Sequence, residues 1–258
     1  MTLYNSIGQN YNATRQPDPR IVGRLVELLD LPFGSTIADV GAGTGNYSRA
    51  IAEAGYKVLA IEPSEVMRNQ AKQHPNLSWI AAGAEQIPLP DAAVDGVVVM
   101  LALHHFRDLK QGIREMNRIS KSGKMVMFAF EQTKIPEFWL TDYFPYFIRD
   151  TLATFPSTEK IAQAIAEISK KEVQIATYFL PSDLSDLFAA SGWCKPKLYL
   201  DKEVRSGISS FSKMPKKELE AGLNRLRADL NDGSWKKKYG SIEMQNEYDA
   251  GYRILFTK

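Results

Sequence analysis

Residues 38–48 read ADVGAGTGNYS, with glycines at alternate positions, Gly41, Gly43 and Gly45, and a carboxylate, Asp39, just ahead of them. A loop stripped of side chains in this way lets a ligand lie against bare backbone. Asp39 favours a cationic ligand over a phosphate. Dinucleotide folds carry G-x-G-x-x-G, because a pyrophosphate must reach the N-terminus of the following helix. Here Asn46 takes the third glycine's place, which disfavours a nicotinamide-dependent oxidoreductase. Two adjacent imidazoles, His104 and His105, stand in LALHHF. An imidazole with an ordinary pKa near 6.5 suits proton removal around neutrality. The same pair could instead cap a strand end and orient its loop. His74, in the polar KQHPN turn, reads as surface. The three histidines lack a ligand-like spacing and the single cysteine, Cys194, cannot build a thiolate site, so no metal is expected.

These residues need a scaffold, and the chain alternates strand and helix signals around them. DPRIVGRLVELLDL reads as a helix capped by Asp18 with Pro19 at its first position. STIADV, KVLAI, LSWIA, VDGVVVML and KMVMFAF read as five strands, with helices in NYSRAIAEAG, SEVMRNQAKQ and DLKQGIREMNRIS between them. That alternation implies right-handed βαβ units in a doubly wound α/β sheet, with the glycine loop at the exit of the first strand. Later, STEKIAQAIAEISKK and PSDLSDLFAASGW read as helices opened by Ser157 and Ser182. KPKLYL and YRILFT read as two closing strands, and PKKELEAGLNRLRADLNDG as an amphipathic helix with Leu219, Leu223, Leu226 and Leu230 on one face.

The 258 residues suffice for one domain with a full core and a pocket. A net charge of +2 from 32 basic and 30 acidic residues demands neither nucleic acid nor a membrane surface. The N-terminal MTLYNSIGQNYNATRQ has no apolar core of a signal peptide, and no stretch approaches the roughly 18 apolar residues of a membrane span. A cytoplasmic protein, monomer or homodimer, is the expectation.

D-x-G-x-G-x-G at a strand–loop–helix junction resembles the S-adenosylmethionine loop of class I methyltransferases. The block GAEQIPLPDAAVDGVVVMLALHHF resembles the small-molecule group that includes the ubiquinone and menaquinone biosynthesis enzymes. The resemblance spans roughly residues 11–130. It implies a mostly parallel, seven-stranded Rossmann-like sheet with an inserted helical cap. Within the single domain it implies a cofactor-covering segment (1–20), a cofactor-binding core (21–131) and cap or substrate insertions (132–180 and 205–248). The cofactor implied is S-adenosyl-L-methionine, leaving as S-adenosyl-L-homocysteine. Glu62 lies where the family places an acid that accepts from both ribose hydroxyls, and a carboxylate suits a diol because its oxygens only accept.

By the same resemblance Pro63 and Met67 flank the adenine, and Ala84 or Glu85 contacts its amine, since Gly83 replaces the usual polar residue. Asp39, Gly41, Ala42, Gly43, Gly45 and Leu101 complete the cofactor wall, with Tyr11 and Arg15 folding over it. Arg15 has the guanidinium fork that suits the methionine carboxylate. The acceptor is expected against His104, His105, Trp139, Asp142, Tyr143 and Phe147, because the aromatic run after the fifth strand falls where the family inserts substrate-binding elements. If the acceptor must lose a proton, His105, Tyr11 or Glu131 would take it. The acceptor implied is a small organic molecule methylated on O, N or C. An RNA-modifying methyltransferase, or a non-catalytic cofactor-binding protein on the same fold, is the alternative.

Overall fold

A computed structural model describes residues 14–258; Tyr11 lies outside them. Helix α1 (Pro19–Leu29) opens with the Asp18 carboxylate accepting from the Arg20 amide, and its Ile21, Val22, Leu25 and Leu29 are buried. Strand β1 (Thr36–Val40) leads through the glycine loop into α2 (Asn46–Glu53). Strand β2 (Lys57–Ile61), α3 (Glu65–Arg68), β3 (Leu77–Ile80) and β4 (Gly96–Met100) follow. Helix α4 (Leu109–Ile119), capped by Asp108, then precedes β5 (Met125–Phe130).

Beyond β5 come the short helices α5 (Leu140–Tyr143) and α6 (Tyr146–Thr154), then α7 (Thr158–Ser169), capped by Ser157. Strand β6 (Val173–Thr177) and the two-residue β7 (Leu180–Pro181) follow. Helices α8 (Lys202–Ser206), α9 (Ser209–Lys213), α10 (Lys216–Asp232) and α11 (Ser234–Tyr239) lead to β8 (Glu247–Tyr248) and β9 (Tyr252–Thr257).

Seven strands form one sheet in the order β3-β2-β1-β4-β5-β9-β6, parallel from β3 to β5, with β9 antiparallel to both its neighbours. The sheet is buried on both faces. Along β4 and β5, Val98, Val126 and Phe128 join the core with α1 and α2. Val97, Val99, Met125 and Met127 join the opposite core, where Ile113 and Met116 of α4 and Ile161 and Ile165 of α7 pack. That two-sided burial explains the unbroken apolar runs of these strands. The strand order reverses between β1 and β4, the position where doubly wound sheets open a crevice at their carboxyl ends. Within 132–180, α7 and β6 belong to the sheet's own layers. No helix among the described residues is long and apolar enough to cross a membrane.

Three local readings are corrected. The helix expected through SEVMRNQAKQ stops at Arg68, with Met67 its buried residue; the Arg68 guanidinium turns back to the Glu62 carbonyl at 2.6 Å. PSDLSDLFAASGW is not helical, because its polar groups find partners far away in the chain. The Ser182 amide donates to the Asn246 carbonyl, and the Ser185 amide to the Asp18 carboxylate at 3.1 Å. KPKLYL is a 3₁₀ turn (Pro196–Leu200) whose buried Tyr199 donates to the Ala189 carbonyl at 2.9 Å. The remaining sheet strand is instead β6, whose VQIAT carries the β-branched residues of a strand.

Candidate active site

The glycine loop needs glycine for two separable reasons. Gly41, Gly43 and Gly45 sit at φ 79°, 59° and 74°, where a side chain is strained. At Gly41 an added Cβ would lie 2.6 Å from the Ala102 Cβ, and at Gly45 2.5 Å from the Trp79 ring. Those two are locked by packing. At Gly43 the nearest atom is the Met67 methyl at 3.5 Å, so this residue leaves the backbone open. The Gly41 and Ala42 amides both donate to the Ile61 carbonyl at the end of β2, at 2.8 and 3.1 Å, and the Gly45 amide donates to the Ala42 carbonyl. Asn46, at the start of α2, donates its side-chain amide to the Arg15 carbonyl at 2.7 Å.

Three carboxylates surround this loop. Glu62 accepts from the Gly43 amide at 3.0 Å through Oε2 and from the Ser64 amide at 2.8 Å through Oε1. Burial pushes its pKa up, against the pull of those amides. Asp39 accepts from the Ser48 hydroxyl at 2.5 Å through Oδ2. Its Oδ1 is buried and has no hydrogen-bond partner among the described residues. Burial, with the Glu62 charge nearby, raises Asp39 to about 6 although Ser48 opposes the shift. Glu85 accepts from the Arg107 amide at 2.6 Å and the Asp108 amide at 3.3 Å, ahead of α4.

These groups wall a cavity of about 470 Å³. Arg15, Asp39, Gly41, Ala42, Gly43, Glu62, Pro63, Met67, Ala84, Glu85, Leu101 and His105 all line it. A second cavity of about 90 Å³ is walled by Phe130, Phe138, Phe147, Phe155, Phe188 and Tyr252, with His104, Ser209 and Ser210 as polar members. Arg15 and Leu101 belong to the walls of both. Leu101, leaving β4, holds φ at 50°, an unfavourable angle for leucine that is maintained at this shared wall. Arg15 is clamped by Asp186, with Nε 2.6 Å from Oδ1 and one terminal nitrogen 3.3 Å from Oδ2.

The two histidines divide between the cavities. His104 stacks on Phe155 with ring centroids 4.0 Å apart, and its centroid is 3.8 Å from that of His105. His105 is accessible from the larger cavity yet ringed by protein. Burial first, and the Lys213 ammonium second, hold its pKa down at about 4. Burial, with His105, Lys213 and Arg15, holds His104 well below 6.5. Both imidazoles are therefore neutral at pH 7, so each keeps one nitrogen able to accept a proton.

Four expected placements change. Trp139 does not line these cavities; its indole donates to the Trp193 carbonyl at 2.7 Å and packs edge-on to Tyr199 and Trp235. Tyr143 points its hydroxyl to Asp229 at 2.6 Å, and Asp142 is exposed, paired with Lys238 and Tyr239. Glu131 is an internal cap for α7. It accepts from the Thr133 amide and hydroxyl and from the Thr158 amide and hydroxyl. Burial raises its pKa, but these bonds outweigh it and keep the carboxyl below its usual range, so it is a poor base. Phe155, Phe188, Ser209, Ser210 and Tyr252 were not singled out from sequence. They come from four separate parts of the chain, with Ser209 and Ser210 adjacent, and no local pattern joins the four. Among the described residues no cluster of three His, Cys, Asp or Glu side chains could hold a metal ion.

Residues 38–128 match the family model described as "Methyltransferase domain". A demethylmenaquinone methyltransferase of Corynebacterium urealyticum is 30% identical over 64% of this chain and 72% of its own. A ubiquinone/menaquinone biosynthesis C-methyltransferase of Rubrivivax gelatinosus is 29% identical over 48% of this chain and 49% of its own. Among solved structures, a protein from Anabaena variabilis, provisionally named as a methyltransferase from an antibiotic biosynthesis pathway, superposes with a TM-score of 0.92. It is 47% identical and the match covers 95% of this chain and 99% of that one.

Proposed function

We propose a reaction for this chain, which belongs to the class I methyltransferases, in the group of the ubiquinone and menaquinone biosynthesis enzymes. It moves a methyl group from S-adenosylmethionine to an O, N or C atom of a small organic acceptor. One observation carries the reading. An acid-lined cavity on the glycine loop shares a wall, at Arg15 and Leu101, with a smaller aromatic cavity.

The residues present fit the methyl donor. The orphaned Asp39 Oδ1 offers a buried anionic acceptor to a cationic group. Gly43 leaves the backbone open to close approach. Glu62 spends one lone pair on each oxygen and retains acceptor capacity for a diol. Met67 and Pro63 would give a purine apolar contact, and Ala84 and Glu85, which line the same cavity, would meet its amine. Arg15 would face the donor's carboxylate. When bound, the donor supplies a sulfonium-activated methyl group, so the protein has mainly to align the acceptor and exclude water. Phe130, Phe147, Phe155 and Tyr252 would hold the acceptor's apolar body, with His104, Ser209 and Ser210 orienting its polar group. His105, neutral but a weak base with its pKa held at about 4, would accept a hydrogen bond from an acceptor that carries a proton; a carboxylate acceptor needs no base. Of the expected covering segment 1–20, Arg15 stands on the donor cavity's wall and residues 1–13 lie outside the described residues. Parts of 132–180 and 205–248 would close the acceptor side, a reading supported by the cavity residues Phe138, Phe147, Thr151 and Phe155 and by Gly207–Ser210.

The test is transfer of tritium from methyl-labelled S-adenosylmethionine to panels of small phenols, carboxylic acids and amines, with bulk tRNA as a separate arm. Label is expected in a small acceptor bearing an apolar ring. Label in tRNA would replace this reading with RNA modification. Tight S-adenosylhomocysteine binding with no transfer to any panel would favour a non-catalytic binder.

A further inference from the structure

Asp186 is fully buried and stands in the stretch 182–193, after β7, that no helix or strand occupies. Its carboxylate is held on two sides. Arg15 reaches it with Nε at 2.6 Å and a terminal nitrogen at 3.3 Å, and the Tyr47 hydroxyl donates to Oδ2 at 3.0 Å. The backbone repeats the contact, since Arg15 and Asp186 form an isolated antiparallel bridge and the Leu187 amide donates to the Thr14 carbonyl at 2.9 Å. Tyr47 and Asn46 open the helix after the glycine loop, and Asn46 holds the Arg15 carbonyl at 2.7 Å. On the other side, Gly207 of the smaller cavity lies so near Thr14 that a Cβ there would be 2.4 Å from the Thr14 hydroxyl. Residues 14–15 are thus wedged between the donor loop, the 186–188 stretch and the acceptor wall.

We infer that Asp186 is a positioning residue. It aims the Arg15 guanidinium from the wall common to both cavities at the carboxylate of the bound donor. Asp186 touches neither cavity itself and acts through Arg15, with Tyr47 fixing the orientation of its carboxylate. A guanidinium is planar and its fork meets a carboxylate in a defined direction. Loss of one fork partner therefore changes where the remaining nitrogens point. This inference rests on the methyl-donor reading above.

The experiment compares two probes by calorimetry on the full-length protein: S-adenosylhomocysteine and its decarboxylated analogue, which keeps the amine but has no carboxylate. Wild type should prefer S-adenosylhomocysteine by at least about tenfold, as expected for a hydrogen-bonded charge pair. Arg15→Ala should abolish that preference. Asp186→Asn, which keeps the shape but replaces one acceptor by a donor, should narrow it to within about threefold. Its affinity for the analogue should change by less than about twofold. A merely structural Asp186 would weaken both probes alike, and that result would overturn the inference. So would an unchanged preference, or a stronger one, which would mean that Asp186 competes for Arg15. If Asp186→Asn fails to fold, Tyr47→Phe decides by the same ratio, with a narrowing of about two- to threefold expected and no change contradicting the inference. Failure of the wild type to bind S-adenosylhomocysteine would remove the donor reading and this inference together. Binding with no carboxylate preference would remove this inference alone.

Discussion

The two cavities are built on opposite plans. The larger is floored by one glycine loop and three carboxylates, and most of its wall falls within residues 39–107. Glu62 and Glu85 are tied to backbone amides, and Asp39 to the hydroxyl of Ser48 nine residues on. The smaller is walled by rings delivered from β5, α6, the 188–190 stretch and β9, and no carboxylate lines it among the described residues. Its one charged member among the described residues is Arg15, which belongs to both. The difference teaches where each kind of specificity lives. On the proposed reading, a cationic, polar donor would be met by fixed acceptors on strand ends, and the acceptor by shape and ring faces that exist once distant segments have packed.

If that division holds, Trp139 belongs to the core and not to the acceptor pocket. Trp139→Ala should then cost about 3–5 kcal/mol of unfolding free energy, measured by denaturant melts, and leave the S-adenosylhomocysteine affinity of the folded protein unchanged. A stable Trp139→Ala protein with impaired acceptor turnover would move this residue back to the acceptor side.

The donor side breaks at Glu62. Glu62→Ala should lose roughly 1.5–3 kcal/mol of S-adenosylhomocysteine affinity, because a charged acceptor is removed. Unchanged affinity by calorimetry would mean that the carboxylate serves only the Gly43 and Ser64 amides of its own loop.

Protonation should act on the donor cavity in a defined direction. Asp39 is raised to about 6 and Glu62 is raised as well, so both lose their charge at a higher pH than exposed carboxylates do. The ionised form is the one that holds an ammonium or a pair of hydroxyls. Affinity for S-adenosylhomocysteine should therefore be full above about pH 7 and fall as pH drops through 6. The slope should be up to about tenfold per pH unit for each proton taken up. Asp39→Asn should flatten the fall around pH 6; an identical profile in that variant would assign the titration elsewhere.

The smallest effect belongs to Asp142, whose partners Lys238 and Tyr239 are at the surface. Asp142→Asn should change stability by no more than about 1 kcal/mol and leave turnover alone. A kinetic defect would show that the exposed pair reaches the acceptor.

What could be read from the chain follows the same division. The five parallel strands, the Asp18 and Ser157 caps and the glycine loop's place after the first strand are legible, because each depends on neighbours in sequence. The 181–193 stretch is not, since Asp186 and Ser185 answer to Arg15, Tyr47 and Asp18 more than a hundred residues away. An Asp/Ser-rich run with an apolar stripe looks like a capped helix until those distant partners are known. The aromatic run 138–147 divides between cavity and core. Phe138 and Phe147 line the smaller cavity, whereas Trp139 and Tyr143 turn toward Trp193 and Asp229. Helical rotation alone does not separate the two sets when α5 has four residues.

The most direct test of the central claim is a thermal melt of the purified protein with S-adenosylhomocysteine or with NAD, each at a hundred times its calorimetric dissociation constant or at the solubility limit. S-adenosylhomocysteine should stabilise the fold by about 2.7 kcal/mol and raise the melting temperature, while NAD leaves it where it was. Stabilisation by NAD with none from S-adenosylhomocysteine would contradict the account at its root.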